Sequence, residues 1–175
     1  MAHLNVEIKA TCADQARVRD LLRAHGATFS GTDHQIDTYF RVAHGRLKLR
    51  EGTLENALIQ YERADEAGPK RSAVGLFPTA PGSALKPMLS AALGVLVVVD
   101  KQREICWIEN VKFHLDTVAG LGSFVEIEAI DLEGTIGAAQ LEAQCRHYLN
   151  LLDIAPADLI TCSYSDLLLN ESRPA

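Results

Sequence analysis

Five stretches of this 175-residue chain set charged side chains on alternate positions with neutral or apolar residues between them. Glu7 and Lys9 alternate with Val6 and Ile8, Lys48 and Arg50 flank Leu49, and Lys101 and Arg103 flank Gln102. Lys112, His114 and Asp116 alternate with Val111, Phe113 and Leu115, and Glu126 and Glu128 alternate with Val125 and Ile127. Successive side chains of a strand point to opposite faces, so each stretch predicts a strand with one apolar and one charged face. A half-exposed antiparallel sheet gives the same alternation when its charged face meets water. The charges are also sorted: bases dominate three stretches, and two carboxylates sit together on another. A closed sheet with its charges turned inward gives a basic channel with an acidic patch, suited to several phosphates and a divalent metal. Both arrangements fit the pattern.

Between these stretches, the hydrophobic spacing predicts a strand over 3–10 and a helix over 14–25 that stops at Gly26. Strands follow over 28–42, 46–51 and about 56–63, at hairpin-like spacings that favour antiparallel order. Glu66-Ala67-Gly68-Pro69 reads as a turn or loop that includes Lys70 and Arg71, with a further strand near 72–78. Leu85, Met88, Leu89, Ala92 and Leu93 follow helical spacing within 83–93. Val95 to Val99 is a continuous apolar run, expected to be a fully buried strand that turns two-faced from Asp100 to Trp107. Strands over 111–118 and 123–130 precede an amphipathic helix over 135–152, with Ile136, Leu141, Cys145, Tyr148, Leu149 and Leu152 on its inner side. Ile154 to Leu169 reads as a short turn and a docked tail. About eight strands and three or more helices make one α+β domain over 1–175, and an inward-charged barrel needs those helices to cover its apolar exterior.

Composition narrows the chemistry. With 47% hydrophobic and 23% charged residues, the chain has globular rather than disordered composition. No apolar run approaches the roughly 20 residues that span a bilayer, and the first residues lack signal-peptide regions, so the expectation is a cytoplasmic protein without a membrane partner. A formal net charge of -6 argues against nucleic acid as a partner and confines any basic site to a local enclosure. Cys12, Cys106, Cys145 and Cys162 show no zinc-type spacing and read as free thiols.

The residues resemble the CYTH-domain superfamily, which joins class IV adenylate cyclases, thiamine triphosphatases and tripolyphosphatases. Its first strand reads Glu-x-Glu-x-Lys, and Asn5-Val6-Glu7-Ile8-Lys9 matches two of those three positions. The likeness continues through Asp37-Thr38-Tyr39-Phe40, Gly45-Arg46-Leu47-Lys48-Leu49-Arg50, Val99-Asp100-Lys101-Gln102-Arg103 and Leu115-Asp116-Thr117-Val118. It ends with Gly120-Leu121-Gly122-Ser123-Phe124-Val125-Glu126-Ile127-Glu128 and Ser163-Tyr164-Ser165-Asp166-Leu167-Leu168, and is strongest toward the class IV cyclase branch.

The resemblance implies an eight-stranded antiparallel barrel, a triphosphate tunnel, with a charged lumen and helices outside. Inward Lys9, Lys48, Arg50, Lys101, Arg103 and Lys112 would bind a linear triphosphate, whose desolvation demands paired cations. Mg2+ or Mn2+ would sit on Glu7, Glu126 and Glu128, since Mg2+ takes one or two carboxylates while phosphates and waters complete its octahedron. Lys9, Arg103 and Asp116 are the candidate catalytic residues, Asp116 joining the metal ligands, orienting a water, or pairing with Lys112 or His114. Asp37 and Tyr39 either face the tunnel or are accounted for by packing and hairpin hydrogen bonds, His114 is a hydrogen-bonded lumen residue in preference to a general base, and Tyr164 fastens the tail.

Phosphoryl transfer needs positioning and charge neutralisation rather than a nucleophilic triad. Tripolyphosphate, thiamine triphosphate and ATP are the candidate substrates. Hydrolysis is the first expectation because it needs no nucleobase pocket; cyclisation of ATP to cyclic AMP and pyrophosphate is the alternative. Related domains also make a homodimer an expectation. Two departures from the family pattern, Asn5 for the first Glu and Glu62 after Tyr61 where a base is usual, support a non-catalytic nucleotide- or polyphosphate-binding module as a third reading.

Overall fold

The computed structural model describes residues 3–63 and 69–171, with Arg63 described by its backbone. The strands are β1 (His3–Thr11), β2 (Thr28–Phe40), β3 (Arg46–Gly52), β4 (Ala57–Arg63), β5 (Lys70–Pro78), β6 (Val95–Ile108), β7 (Val111–Val118) and β8 (Gly122–Asp131). Helices α1 (Gln15–Ala24), α2 (Leu85–Leu93), α3 (Ala138–Leu151) and α4 (Tyr164–Glu171) are interspersed, with a short 3-10 turn at Pro156–Asp158. The strands close into a barrel in the order β1-β5-β4-β3-β2-β6-β7-β8. Every pairing is antiparallel. This is the eight-stranded α+β barrel that the family resemblance implies, and it decides between the two arrangements the alternation left open.

The main hydrophobic core lies outside the barrel. Val6, Ile8 and Ala10 of β1, Phe113 and Leu115 of β7 and Val125, Ile127 and Ala129 of β8 pack against Val18 and Leu22 of α1 and Leu141 and Cys145 of α3. Phe113 and Ile127 have no exposed surface. Full burial of such a side chain is worth about 1.5–3 kcal/mol, so the outward faces bind the helices while the charged faces are forced inward. Local chemistry fixes the helix ends: the Asp14 carboxylate accepts from Arg17 N at 2.9 Å at the start of α1. Before α3, Asp131 accepts from the backbone of Thr135, Ile136 and Gly137 at 3.0, 3.1 and 3.0 Å.

Four details differ from the sequence expectations. Strand β5 begins at Lys70, so Lys70 and Arg71 belong to the sheet rather than to a loop; Glu66 to Gly68 lie outside the described residues. Helix α3 begins at Ala138 rather than 135, because Asp131 holds the preceding backbone in a turn. The apolar run of β6 is not fully buried: Val95 and Val98 are 40% and 45% exposed, since α2 carries no buried residue and leaves that outer face uncovered. The tail contains a helix, α4, whose first residue, Tyr164, reaches into the barrel.

Candidate active site in the barrel lumen

The lumen is a cavity of about 420 Å³. Nine of the ten residues singled out by the sequence as basic or acidic site candidates line it: Lys9, Lys48, Arg50, Lys101, Arg103, Lys112, Glu7, Glu126 and Glu128. The tenth, Asp116, lies behind the wall against Arg103. Register explains the convergence. Glu7 pairs across β1–β8 with Glu128 and Lys9 with Glu126. On the neighbouring pair, His114 opposes Glu126 and Lys112 opposes Glu128.

Asp37 organises the first cluster. Its carboxylate accepts from Lys101 at 2.7 Å, from Lys48 at 2.8 Å and from Arg50 through two bonds of 2.9 and 3.0 Å. Burial opposes ionisation of Asp37, but Arg50, Lys101 and Lys48 outweigh it and hold the carboxyl well below its usual range. Burial pulls the Lys101 ammonium down from the usual lysine range against the attraction of Asp37.

Arg103 organises the second cluster. It donates to both Asp116 oxygens at 2.7 and 2.6 Å and to Glu126 at 2.9 Å. Burial opposes its charge, yet Asp116 and Glu126 keep the guanidinium firmly protonated. Asp116 also accepts from the Tyr164 hydroxyl at 2.8 Å, and Lys9 lies 4.0 Å above the Tyr164 ring while sitting 3.5 Å from Glu126. Asp116 therefore orients Arg103 and ties α4 to the lumen, rather than pairing with Lys112 or His114. His114 places Nδ1 3.4 Å from Glu126, and burial followed by the Arg103 charge pushes its pKa down to about 3, leaving a neutral imidazole. Its Nε2 is buried without a hydrogen-bond partner among the described residues.

Glu7, Glu126 and Glu128 form the acidic side of the lumen. Among the described residues no three His, Cys, Asp or Glu side chains converge closely enough to hold a metal by themselves. Glu126 is engaged by Lys9, Arg103 and His114. Glu7 and Glu128 face each other, and burial, then the Glu126 carboxylate, raise the Glu128 pKa to about 7. The Asn5 amide donates to Glu128, leaving the Asn5 Oδ1 buried and unpartnered among the described residues. Two crowded carboxylates beside an orphaned amide oxygen fit Mg2+ or Mn2+, which complete their coordination with phosphate oxygens and water.

Two further lumen residues stand outside the set of site candidates. Asp37 follows the tunnel-facing alternative rather than the packing one, and Asp37 and Tyr39 alternate with Thr38 and Phe40 as the recognised stretches do. Glu55 lies in the short β3–β4 connection, where no periodicity applies. Its carboxylate accepts from Arg50 at 3.0 Å and from Lys112. Asp33 sets that loop by accepting from Thr53 Oγ1, Leu54 N and Glu55 N at 2.8, 2.7 and 3.1 Å. Gly52 permits the approach, since a Cβ there would meet the Glu55 carbonyl oxygen at 2.6 Å. Glu62, the second departure, is exposed.

A closed antiparallel barrel with its hydrophobic core outside and paired charges inside defines a tunnel-type protein of the triphosphate-tunnel fold. The chain belongs to the CYTH-domain family, whose model matches residues 3–145. No curated protein matches it. Among solved structures, the PH1012 protein of Pyrococcus horikoshii superposes with a TM-score of 0.78 at 23% identity, over 93% of this chain and 98% of that one. An adenylate cyclase candidate from Vibrio parahaemolyticus gives 0.73 at 18% identity, over 97% and 99% of the two chains. An adenylyl cyclase candidate from Hippeastrum, described as having a dominant triphosphatase activity, gives 0.63 at 14% identity, over 97% and 95%. No helix among the described residues is long and apolar enough to cross a membrane.

Proposed function

We propose that the protein is a divalent-metal-dependent enzyme that binds a linear triphosphate in the lumen and hydrolyses it. The observation that carries this reading is the convergence of six Lys and Arg side chains on one cavity, balanced by carboxylates a polyanion can replace. Lys48, Arg50 and Lys101 bind the phosphate chain on one side, Lys112 closes its end, and Lys9 and Arg103 lie where charge on the attacked phosphoryl group is neutralised. Asp116 positions Arg103. Glu7, Glu128 and the Asn5 oxygen would hold the metal, which when bound neutralises phosphate charge and polarises the reacting oxygens. In hydrolysis a water oxygen bonds to the terminal phosphorus, the bridging P–O bond breaks, and the proton is passed to solvent. The dominant triphosphatase activity ascribed to the Hippeastrum protein supports hydrolysis over cyclisation.

The test is phosphate release from tripolyphosphate, thiamine triphosphate and ATP, each with Mg2+ or Mn2+. Metal-dependent release from at least one of them is expected. Cyclic AMP and pyrophosphate from ATP would assign the cyclase reaction instead, and binding without turnover would assign the non-catalytic module. Failure of all three compounds to bind would overturn the reading.

A further inference from the structure

Among the described residues, four buried polar side-chain atoms lack a hydrogen-bond partner, and two of these belong to residues that line the lumen: Asn5 Oδ1 and His114 Nε2. The Asn5 oxygen belongs to the acidic end beside Glu128. His114 is 2% exposed, and its Nδ1 faces Glu126 at 3.4 Å. An ionised carboxylate only accepts, so the ring proton sits on Nδ1, and in the neutral imidazole Nε2 carries a lone pair. A buried acceptor without a donor is costly, so Nε2 marks a place where a donor belongs once the site is filled.

The chemistry of the occupants narrows that donor. An ionised triphosphate brings oxygens, which are acceptors like Nε2 itself, and Mg2+ or Mn2+ favours carboxylate, phosphate and water oxygens over imidazole. Water is the remaining component of a hydrolytic reaction, and it has protons to donate. The position agrees: Lys9 and Arg103 rest on the same Glu126 carboxylate as His114, at 3.5 and 2.9 Å, so the imidazole belongs to the cluster that neutralises the attacked phosphoryl group.

Resting on the triphosphate reading, we infer that His114 Nε2 accepts a hydrogen bond from the attacking water and aims its oxygen at the terminal phosphorus. Glu126 is then a positioning residue that fixes the tautomer. The water oxygen bonds to phosphorus, the bridging P–O bond breaks with its electron pair going to the departing phosphate, and the water proton passes to solvent. In a loose phosphoryl-transfer transition state the nucleophile loses little of its proton early, so an imidazole too weakly basic to act as a general base still orients the water.

The experiment is steady-state phosphate release from tripolyphosphate, thiamine triphosphate and ATP across a Mg2+ titration, by the full chain and by His114→Phe and His114→Gln. Both variants conserve bulk, and thermal melts confirm folding. Phenylalanine removes the acceptor and should lower kcat by about a hundredfold, as loss of reactant orientation does, with KM and the half-saturating Mg2+ concentration unchanged. Glutamine restores an acceptor oxygen and should keep kcat within about tenfold of wild type, the residual loss being imperfect aim. Wild-type kcat in His114→Phe, or equal loss in both variants, would overturn the inference while leaving the triphosphate reading intact. A raised half-saturating Mg2+ concentration would make Nε2 a metal ligand, and a raised KM alone a substrate ligand; either overturns the assignment to water. No release by the wild type from any of the three compounds would remove the hydrolytic reading and this role with it.

Discussion

Asp37 Oδ2 and Lys101 Nζ stand 2.7 Å apart inside the barrel, and both residues are almost completely buried. The same carboxylate also holds Lys48 and Arg50. One negative charge thus keeps three positive side chains pointed into a narrow lumen, where without it they would repel one another. Buried ion pairs contribute little net stability against apolar replacements, but breaking one by removing a single partner is costly.

Asp37→Ala should therefore destabilise the protein by about 3–5 kcal/mol, since it leaves uncompensated buried cations. The loss should be smaller when a polyanion is present. Thermal melts with and without tripolyphosphate check this: the anion should raise the midpoint of the variant more than that of the wild type. An equal rise in both would mean that Asp37 does not hold the phosphate-binding cations.

Most of the barrel was legible because its code is local. Alternation on β1, β3, β6, β7 and β8 needs no knowledge of distant partners, and the outward apolar set of Phe113, Ile127 and Val6 follows from the same period of two. What was not legible depends on closure. Ala57, Ile59, Val74 and Leu76 of β4 and β5 give the same sequence signal as an ordinary buried face, so only the closed barrel identifies them as lumen lining. Glu55 sits on a loop whose position is dictated by Asp33, a residue 22 positions earlier. Tyr164 enters the site because α4 returns to the barrel, a contact that spans 48 residues to Asp116.

Glu55 stands between two phosphate-binding cations, and a substrate must displace it from Arg50 and Lys112. Glu55→Gln removes that competing charge while keeping the shape of the side chain. Triphosphate affinity should rise by about tenfold, equivalent to about 1.4 kcal/mol. Titration calorimetry at fixed Mg2+ measures it, and weaker binding in the variant would show that Glu55 supports the site instead of competing for it.

The Glu128 carboxyl gives a pH signature. Its folded pKa of about 7 lies above the ordinary glutamate value of 4.5, so between these limits the folded state binds a proton that the unfolded state lacks. Stability attributable to this group is fully present below about 4.5 and is lost as pH rises through about 7, a loss of about 3 kcal/mol. His114 acts in the opposite sense, because its folded pKa of about 3 lies below the ordinary value of 6.5 and its contribution rises with pH over that interval. The difference between wild type and Glu128→Gln isolates the carboxyl. Denaturant melts of metal-free protein should show the variant gaining relative to wild type from pH 5 to pH 8, and a constant difference across that range would refute the assignment.

The two charge clusters should separate in mutant kinetics. Lys48→Ala removes a phosphate ligand on the Asp37 side and should raise KM with a smaller change in kcat, because that contact is present in ground and transition states alike. Arg103→Ala removes a guanidinium placed against both Asp116 and Glu126, so it should lower kcat by about a hundredfold or more, as loss of a transition-state charge contact does. Glu126→Ala frees Lys9, Arg103 and His114 from their shared acceptor and should lower kcat while leaving both the Asp37 cluster and the dependence of the rate on Mg2+ or Mn2+, which rests on Glu7, Glu128 and Asn5, intact. Steady-state rates measured across a metal titration for all three variants decide the matter. Identical kinetics in the three would mean that the lumen charges hold the barrel together without acting on a substrate.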